Sequence, residues 1–231
     1  YPDHHGIIAN TFYSYKKDAT YKIRNREMVE DGTFYGGTPI WVQADKNQMV
    51  TASYFFVGSE ADVQGIHPTY YKIYDGSIKN DARVSQVLDW LALPKKERPH
   101  LITMYFSDMD DTGHRYGPNN EEEIKKTLFD LDKSLGVLFD NTEAMDLPIN
   151  IIIVSDHGMT EQSSSKLLAI ESIENDQLFK AINNGAIVNI HANEGIEEDA
   201  IYSYLKKKEN HFKVYKTANT PGFEIPPKNK D

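Results

Sequence analysis

Two short runs of almost uninterrupted apolar residues constrain this chain more than any other feature. Leu101-Ile102-Thr103-Met104-Tyr105-Phe106 is the first, and Ile149-Asn150-Ile151-Ile152-Ile153-Val154 is the second. Both have strand length and are apolar on successive residues, which suits strands covered on both faces of a parallel sheet. Between them, Asn120 to Phe139 places Ile124, Leu128, Leu131, Leu135 and Leu138 on one side of a helix. Strand, long helix and strand make a βαβ unit. The predicted fold class is therefore α/β, with a parallel-rich central sheet covered by helices.

The flanking segments extend the pattern. Residues 1–35 show no clear period and read as loop with short elements. Gly36-Gly37-Thr38-Pro39 predicts a helix start with Thr38 as cap and Pro39 in the first turn. Met49 to Val57 reads as a strand. Asp81 is expected to cap a helix that buries Val84, Val87, Leu88 and Leu91 and stops at Pro94, while Trp41 and Trp90 read as core. From Gln177 to Lys216 the pattern reads helix, strand, helix, strand, with Ile187 to Ile190 and Phe212 to Tyr215 as the strands. This part is expected to form a small α+β cap or peripheral layer. The whole chain is expected to be part of a single domain, with 1–175 in the core and 176–231 peripheral.

Bulk properties narrow the partners. With 25 basic and 35 acidic side chains the formal charge is 25 − 35 = −10, so long nucleic acid is not an expected partner. There is no cysteine, which excludes a disulfide framework and thiolate metal ligation in this span. No run of eighteen apolar residues appears, so no membrane-spanning segment is predicted in it.

The chemistry clusters where the two apolar runs end. After Phe106 come Ser107-Asp108-Met109-Asp110-Asp111-Thr112-Gly113-His114, and after Val154 come Ser155-Asp156-His157-Gly158-Met159. In open α/β sheets ligands bind beyond the carboxyl ends of strands. Carboxylates and imidazoles converging there suit zinc, and two such ions about 3.5–4 Å apart can clamp a phosphoryl group in transfer. Simpler readings compete. Asp-His-Gly after a strand also describes a capping Asp, a turn His and a Gly with positive φ. Asp108, Asp110, Thr112 and Gly113 also fall at positions 1, 3, 5 and 6 of a calcium loop, but Asn119 then stands where a bidentate Glu is required and a strand precedes the loop in place of a helix.

Asp110-Asp111-Thr112-Gly113-His114-Arg115-Tyr116-Gly117-Pro118 resembles the Asp-x-x-Gly-His-x-x-Gly-Pro signature of the nucleotide pyrophosphatase/phosphodiesterase family, in the alkaline phosphatase superfamily. Ser155 to Met159 resembles that family's second metal signature, and Tyr1-Pro2-Asp3-His4-His5-Gly6-Ile7-Ile8-Ala9-Asn10 resembles the stretch after its nucleophile loop. Gly37-x-Pro39-Ile40-Trp41 and Gly58-Ser59-Glu60 match smaller landmarks in the same order. The resemblance implies an alkaline phosphatase-like core and two zinc ions, one held by Asp110 and His114 and the other by Asp156 and His157. It implies that Asn10 donates to a non-bridging phosphate oxygen and that Tyr74 and Tyr105 flank a nucleoside base. Ile23 would add an apolar wall, with a one-residue shift in the local match. Asp108 and Asp111 are not ligands in the pattern, the His4-His5 segment serves there to set Asn10 and does not coordinate, and His67, His100, His191 and His211 have no partner motif.

The implied activity is hydrolysis of small nucleotide phosphodiesters or pyrophosphates to nucleoside 5′-monophosphates through a phosphothreonine. The threonine and a further zinc-binding Asp are expected before Tyr1, and a last His ligand after Asp231, so the chain is expected to be incomplete at both ends. Relatives of this kind are typically exported to the periplasm or outside the cell. Other superfamily hydrolases (a monoesterase, phosphonate hydrolase or sulfatase) and a non-catalytic nucleotide-binding relative remain as alternatives.

Overall fold

The structure is a computed structural model that describes residues 2–163, 165 and 167–221. Its contacts divide the chain into two compact units, Pro39–Gln162 and a second that combines Tyr1–Thr38 with Ser163–Asp231.

In the unit formed by 39–162, three parallel strands make one sheet. Strand β3 (Thr51–Tyr54) lies between β4 (Tyr70–Lys72) and β5 (Leu101–Met104), with Ala52 opposite Tyr70 on one side and Ile102 on the other. All four residues of β3 are buried, as a central parallel strand requires. Helix α3 (Ile40–Lys46) precedes β3. Its cap is Pro39, one residue later than the expected Thr38. Helix α4 (Asn80–Ala92) buries Val84, Val87, Trp90 and Leu91 against Ala52, Tyr54 and Phe55 of the sheet layer. Lys79 is its cap and Asp81 sits in the first turn, where its charge favours the helix dipole and its Oδ1 accepts from Ser134 Oγ at 2.8 Å. The chain leaves α4 at Leu93, where Pro94 cannot continue it.

Polar groups inside this layer are joined in sequence. Thr103 Oγ1 donates to Ser53 Oγ, Ser53 Oγ donates to Ser59 Oγ, and Ser59 Oγ donates to the Phe56 carbonyl, at 3.0, 2.8 and 2.7 Å. Buried hydroxyls left unpaired would be costly, and this chain satisfies each of them.

One element in this unit was not predicted and one expectation is corrected. The run after Ser107 forms helix α5 (Asp108–Tyr116), closed by Gly117 at φ 86, whose N–H bonds to the Gly113 carbonyl at 3.0 Å. The second apolar run is not a strand. Residues 149–154 join no ladder among the described residues; Ile149 packs against the core, but Ile152 and Val154 are 84% and 78% exposed. An apolar pattern reports that a segment can be buried, and pairing still requires a strand beside it. Helix α6 (Glu121–Glu143) is capped by Asn120, whose side chain accepts from Glu123 N at 3.2 Å. Of the expected stripe, Leu138 is buried, whereas Leu128 is half exposed.

The other unit begins with a short helix, α1 (Pro2–His5), and a hairpin of β1 (Thr11–Ser14) and β2 (Ala19–Lys22), where looser structure was expected. Phe12 and Tyr21 stack with ring centroids 4.9 Å apart and pack with Val29 of α2 (Arg26–Glu30). Further along, β6 (Phe179–Asn183) and β7 (Val188–Ala192) form an antiparallel pair covered by α7 (Glu198–Lys207), through Phe179, Ile201 and Leu205. A helix was expected where β6 lies; Phe179 and Ile182 point inward three residues apart, a spacing that fits either structure, and the antiparallel ladder to β7 decides for the strand. Phe212 to Tyr215, expected to be a strand, joins no ladder among the described residues. No helix among the described residues is long and apolar enough to cross a membrane.

Candidate metal centre

The helical form of Asp108 to Tyr116 changes how its side chains are displayed. Residues two apart on a helix point in nearly opposite directions, whereas residues four apart share a face. Asp108, Asp110 and Thr112 therefore cannot encircle one ion, and the calcium-loop reading is lost. Asp110 and His114 are brought together instead, with His114 Nε2 3.4 Å from Asp110 Oδ1.

The 155–159 turn brings its own pair to the same carboxylate. His157 Nε2 lies 3.8 Å from Asp110 Oδ1 and 3.4 Å from Asp156 Oδ2. His157 Nδ1 donates to the Gly158 carbonyl at 2.9 Å, which leaves Nε2 with the free lone pair in the neutral ring. That bond, followed by the charge of Asp156, holds the imidazole above its ordinary pKa. Asp110 Oδ1 is shut off from solvent and receives no hydrogen bond among the described residues.

The turn is docked on α5 through Met159. Residues 155–158 are exposed and Met159 is half-buried against Gly113. A Cβ at Gly113 would overlap Met159 Sδ, so any larger residue there would displace the methionine. Two further bonds fix α5 in place. Asn80 Nδ2 donates to Asp108 Oδ2 at 2.9 Å, and the Thr112 and Thr127 hydroxyls lie 2.9 Å apart. Asp108 thus anchors α5 to the first residue of α4.

These separations fit shared cations better than direct hydrogen bonds. Two donors each about 2.1 Å from one tetrahedral zinc stand about 3.4 Å apart. The His114–Asp110 and His157–Asp156 pairs have that spacing, and the orphaned Asp110 Oδ1 of the first pair also lies 3.8 Å from His157 Nε2. Among the described residues no group of three or more His, Cys, Asp or Glu side chains is placed to hold a metal ion. Each His–Asp pair thus presents two donor atoms, fewer than the four of a full zinc shell.

The aromatic pair lies in the same unit. Tyr74 and Tyr105 have centroids 6.4 Å apart and planes tilted by 51°, and Tyr74 is exposed. Burial first, then the charge of Asp110, the neighbouring Tyr74 and Asp156, push the Tyr105 phenol up to about 12. Tyr105 therefore sits within the field of both ligand pairs. Asn10 and Ile23 belong to the other unit, where the Ile23 N–H bonds to the Asn10 carbonyl at 2.9 Å. Both residues flank the open end of the β1–β2 hairpin and are exposed. Reading the sequence did not find α5 or the docking of Met159. The Asp110–His114 spacing of four was the available helical signal.

A family model described as "Type I phosphodiesterase / nucleotide pyrophosphatase" matches residues 1–227. The chain is 37% identical over 190 residues to ectonucleotide pyrophosphatase/phosphodiesterase family member 1 of Mus musculus, covering 81% of this chain and 20% of that protein. It is 40% identical over 169 residues to the venom phosphodiesterase CdcPDE of Crotalus durissus collilineatus, covering 72% of this chain and 20% of the relative. The chain thus spans about a fifth of the length of these relatives. Among solved structures, murine ectonucleotide pyrophosphatase / phosphodiesterase 5 superposes with a TM-score of 0.84 at 25% identity, covering 96% of this chain and 59% of that one. An inactive variant of the same murine protein in complex with AMP gives 0.83. The α/β fold with its parallel sheet is that of these alkaline phosphatase-like enzymes, and the chain belongs to the type I phosphodiesterase / nucleotide pyrophosphatase family.

Proposed function

We propose that this chain supplies part of the catalytic centre of a zinc-dependent phosphodiesterase that hydrolyses small nucleotide phosphodiesters or pyrophosphates to nucleoside 5′-monophosphates. The observation that carries it is the convergence of His114 and His157 on the orphaned Oδ1 of Asp110. Asp110 with His114 would hold one zinc, and Asp156 with His157 the other. Bound there, the ions would supply Lewis acidity to phosphate oxygens and favour the ionised form of an attacking hydroxyl or water.

The chain's own groups do the rest of the binding. The Nδ1 bond to Gly158 keeps the His157 ring oriented with Nε2 toward the carboxylates. The Asn10 amide donates to a non-bridging phosphate oxygen, a contact that strengthens as charge develops there. Tyr74 and Tyr105 offer ring faces to the base, and Ile23 offers an apolar wall. The nucleophile of this reading is a threonine outside the 231 residues, transiently phosphorylated. AMP bound to a relative and the phosphodiesterase names of others support a nucleotide substrate. The "ecto" and "venom" names support an exported protein.

The test compares the 4-nitrophenyl ester of thymidine 5′-monophosphate with 4-nitrophenyl phosphate, using full-length protein. A preference for the diester is expected; a preference for the monoester would replace the reading with a phosphomonoesterase. Asp156→Ala is expected to lower kcat/KM by more than about a hundredfold and to reduce bound zinc, because a ligand matters more than the groups that orient it. Unchanged zinc content in that variant would remove Asp156 from the site.

A further inference from the structure

Arg83 is a charged residue where a stable core has no need of one. It is 3% exposed, on the inner face of α4 among valines and Trp90. A buried guanidinium carries a large desolvation cost, which the bonds it makes have to offset. Its bonds show what it holds. Nε donates to the Ile78 carbonyl at 3.0 Å and Nη1 donates to the Tyr105 carbonyl at 3.0 Å. The guanidinium carbon lies 5.1 Å from the centre of the Phe55 ring, a cation–π contact. Phe55 follows β3, Ile78 belongs to the segment after β4, and Tyr105 follows β5. One side chain thus ties together the exits of all three parallel strands.

Phe55 is unusual in its own right. It is a buried aromatic at φ 65, a left-handed conformation that a bulky residue adopts only under constraint. Such outliers concentrate at functional sites. Its ring meets Tyr74 edge-on, with centroids 5.3 Å apart, and the Tyr74 N–H bonds to Glu60 Oε1 at 2.8 Å. Tyr74 is therefore backed by Phe55 and Glu60, and Tyr105 is held through its carbonyl by Arg83.

We infer that Arg83 is a positioning residue for the nucleobase, setting Tyr74 through the ring of Phe55 and Tyr105 through its backbone. This rests on the nucleotide reading given above. Phe55 is the relay, and its strain is kept because the ring must lie between the guanidinium and Tyr74. The role predicts a loss confined to the base-recognition part of binding, distinct from a loss of the phosphate chemistry.

The experiment uses full-length protein with Arg83→Met, Arg83→Lys and Phe55→Leu, and measures kcat/KM for the 4-nitrophenyl ester of thymidine 5′-monophosphate and for bis(4-nitrophenyl) phosphate, which has no base. Stacking of one base on a tyrosine accounts for about 5- to 150-fold in affinity, so a misaligned pair is expected to cost roughly tenfold. In Arg83→Met and Phe55→Leu the nucleoside ester is expected to lose about tenfold more than the base-free diester, as a rise in KM with kcat little changed. Arg83→Lys keeps the charge but not both carbonyl bonds, and is expected to fall between. Equal losses on both substrates, or no loss on either, overturn the inference. Should Arg83→Met fail to fold, Phe55→Leu carries the same comparison with Arg83 in place. If the wild-type protein hydrolyses neither diester, the functional reading itself fails, an outcome distinct from unchanged selectivity in active variants.

Discussion

Replacing Gly113 by alanine sets two effects of opposite sign against each other. Gly113 lies in the middle of α5, where alanine is the better helix former by about 1 kcal/mol. The new Cβ would overlap Met159 Sδ and lie 3.1 Å from its Cε. Overpacking of this kind costs about 1–3 kcal/mol, and a flexible thioether that can swing aside belongs at the low end. The net change in stability is therefore within about 2 kcal/mol, a few degrees in Tm for a chain of this size. The cost to the site is larger. Met159 is the half-buried member of a turn whose other residues are exposed, so when it swings out it takes Asp156 and His157 away from Asp110. A displacement of about 1 Å in a reacting constellation costs on the order of a hundredfold in rate. In the full-length protein, Gly113→Ala should lower kcat/KM for the nitrophenyl nucleotide and zinc affinity by at least about tenfold, with Tm changed by only a few degrees. Wild-type kcat/KM and zinc affinity at an unchanged Tm would refute the docking role of Met159.

Other consequences follow from packing and charge. Leu138, 7% exposed, packs into the core beneath α4, so Leu138→Ala should destabilise by about 2–5 kcal/mol. Leu128→Ala, at a side chain 50% exposed, should stay within about 0.5 kcal/mol, and chemical denaturation that reverses this order would show the helix is rotated from its described face. Asp31 should make stability depend on acid. Burial, the largest influence, would raise its pKa, but bonds from Lys17 and Thr33 outweigh it and hold the carboxyl below 3.8. Its contribution is thus present at neutral pH and lost as pH falls through the folded value. Asp31→Asn should flatten the acid limb of a Tm-against-pH curve below about pH 4; parallel limbs would mean the Lys17–Asp31 pair is not coupled to folding.

How much of this was legible in the sequence depended on whether the signal was local. Val84, Val87 and Leu91 recur at helical spacing and are buried in α4, and the helix expected from Asn120 is α6, with Asn120 as its cap. Leu101 to Met104 pairs with β3 because a neighbouring strand is there. Ile152 to Val154 is just as apolar, but strand pairing depends on residues distant in sequence, and no periodicity reports whether they are present. The ligand residues were visible as types and spacings. That Asp110 and His114 meet on one helical turn was not, because the acidic run reads equally as a loop until Gly117 closes it as a helix. Arg83 carried no signal at all, since an arginine within a helical apolar stripe is indistinguishable from a surface residue until its burial is known.

The central claim is that Asp110 with His114, and Asp156 with His157, would each hold one zinc ion. Anomalous diffraction at the zinc edge from crystals of the full-length protein tests it directly. Two peaks about 3.5–4 Å apart are predicted, one beside Asp110 and His114 and the other beside Asp156 and His157. No peak beside Asp110, with both imidazoles turned to solvent, would contradict it.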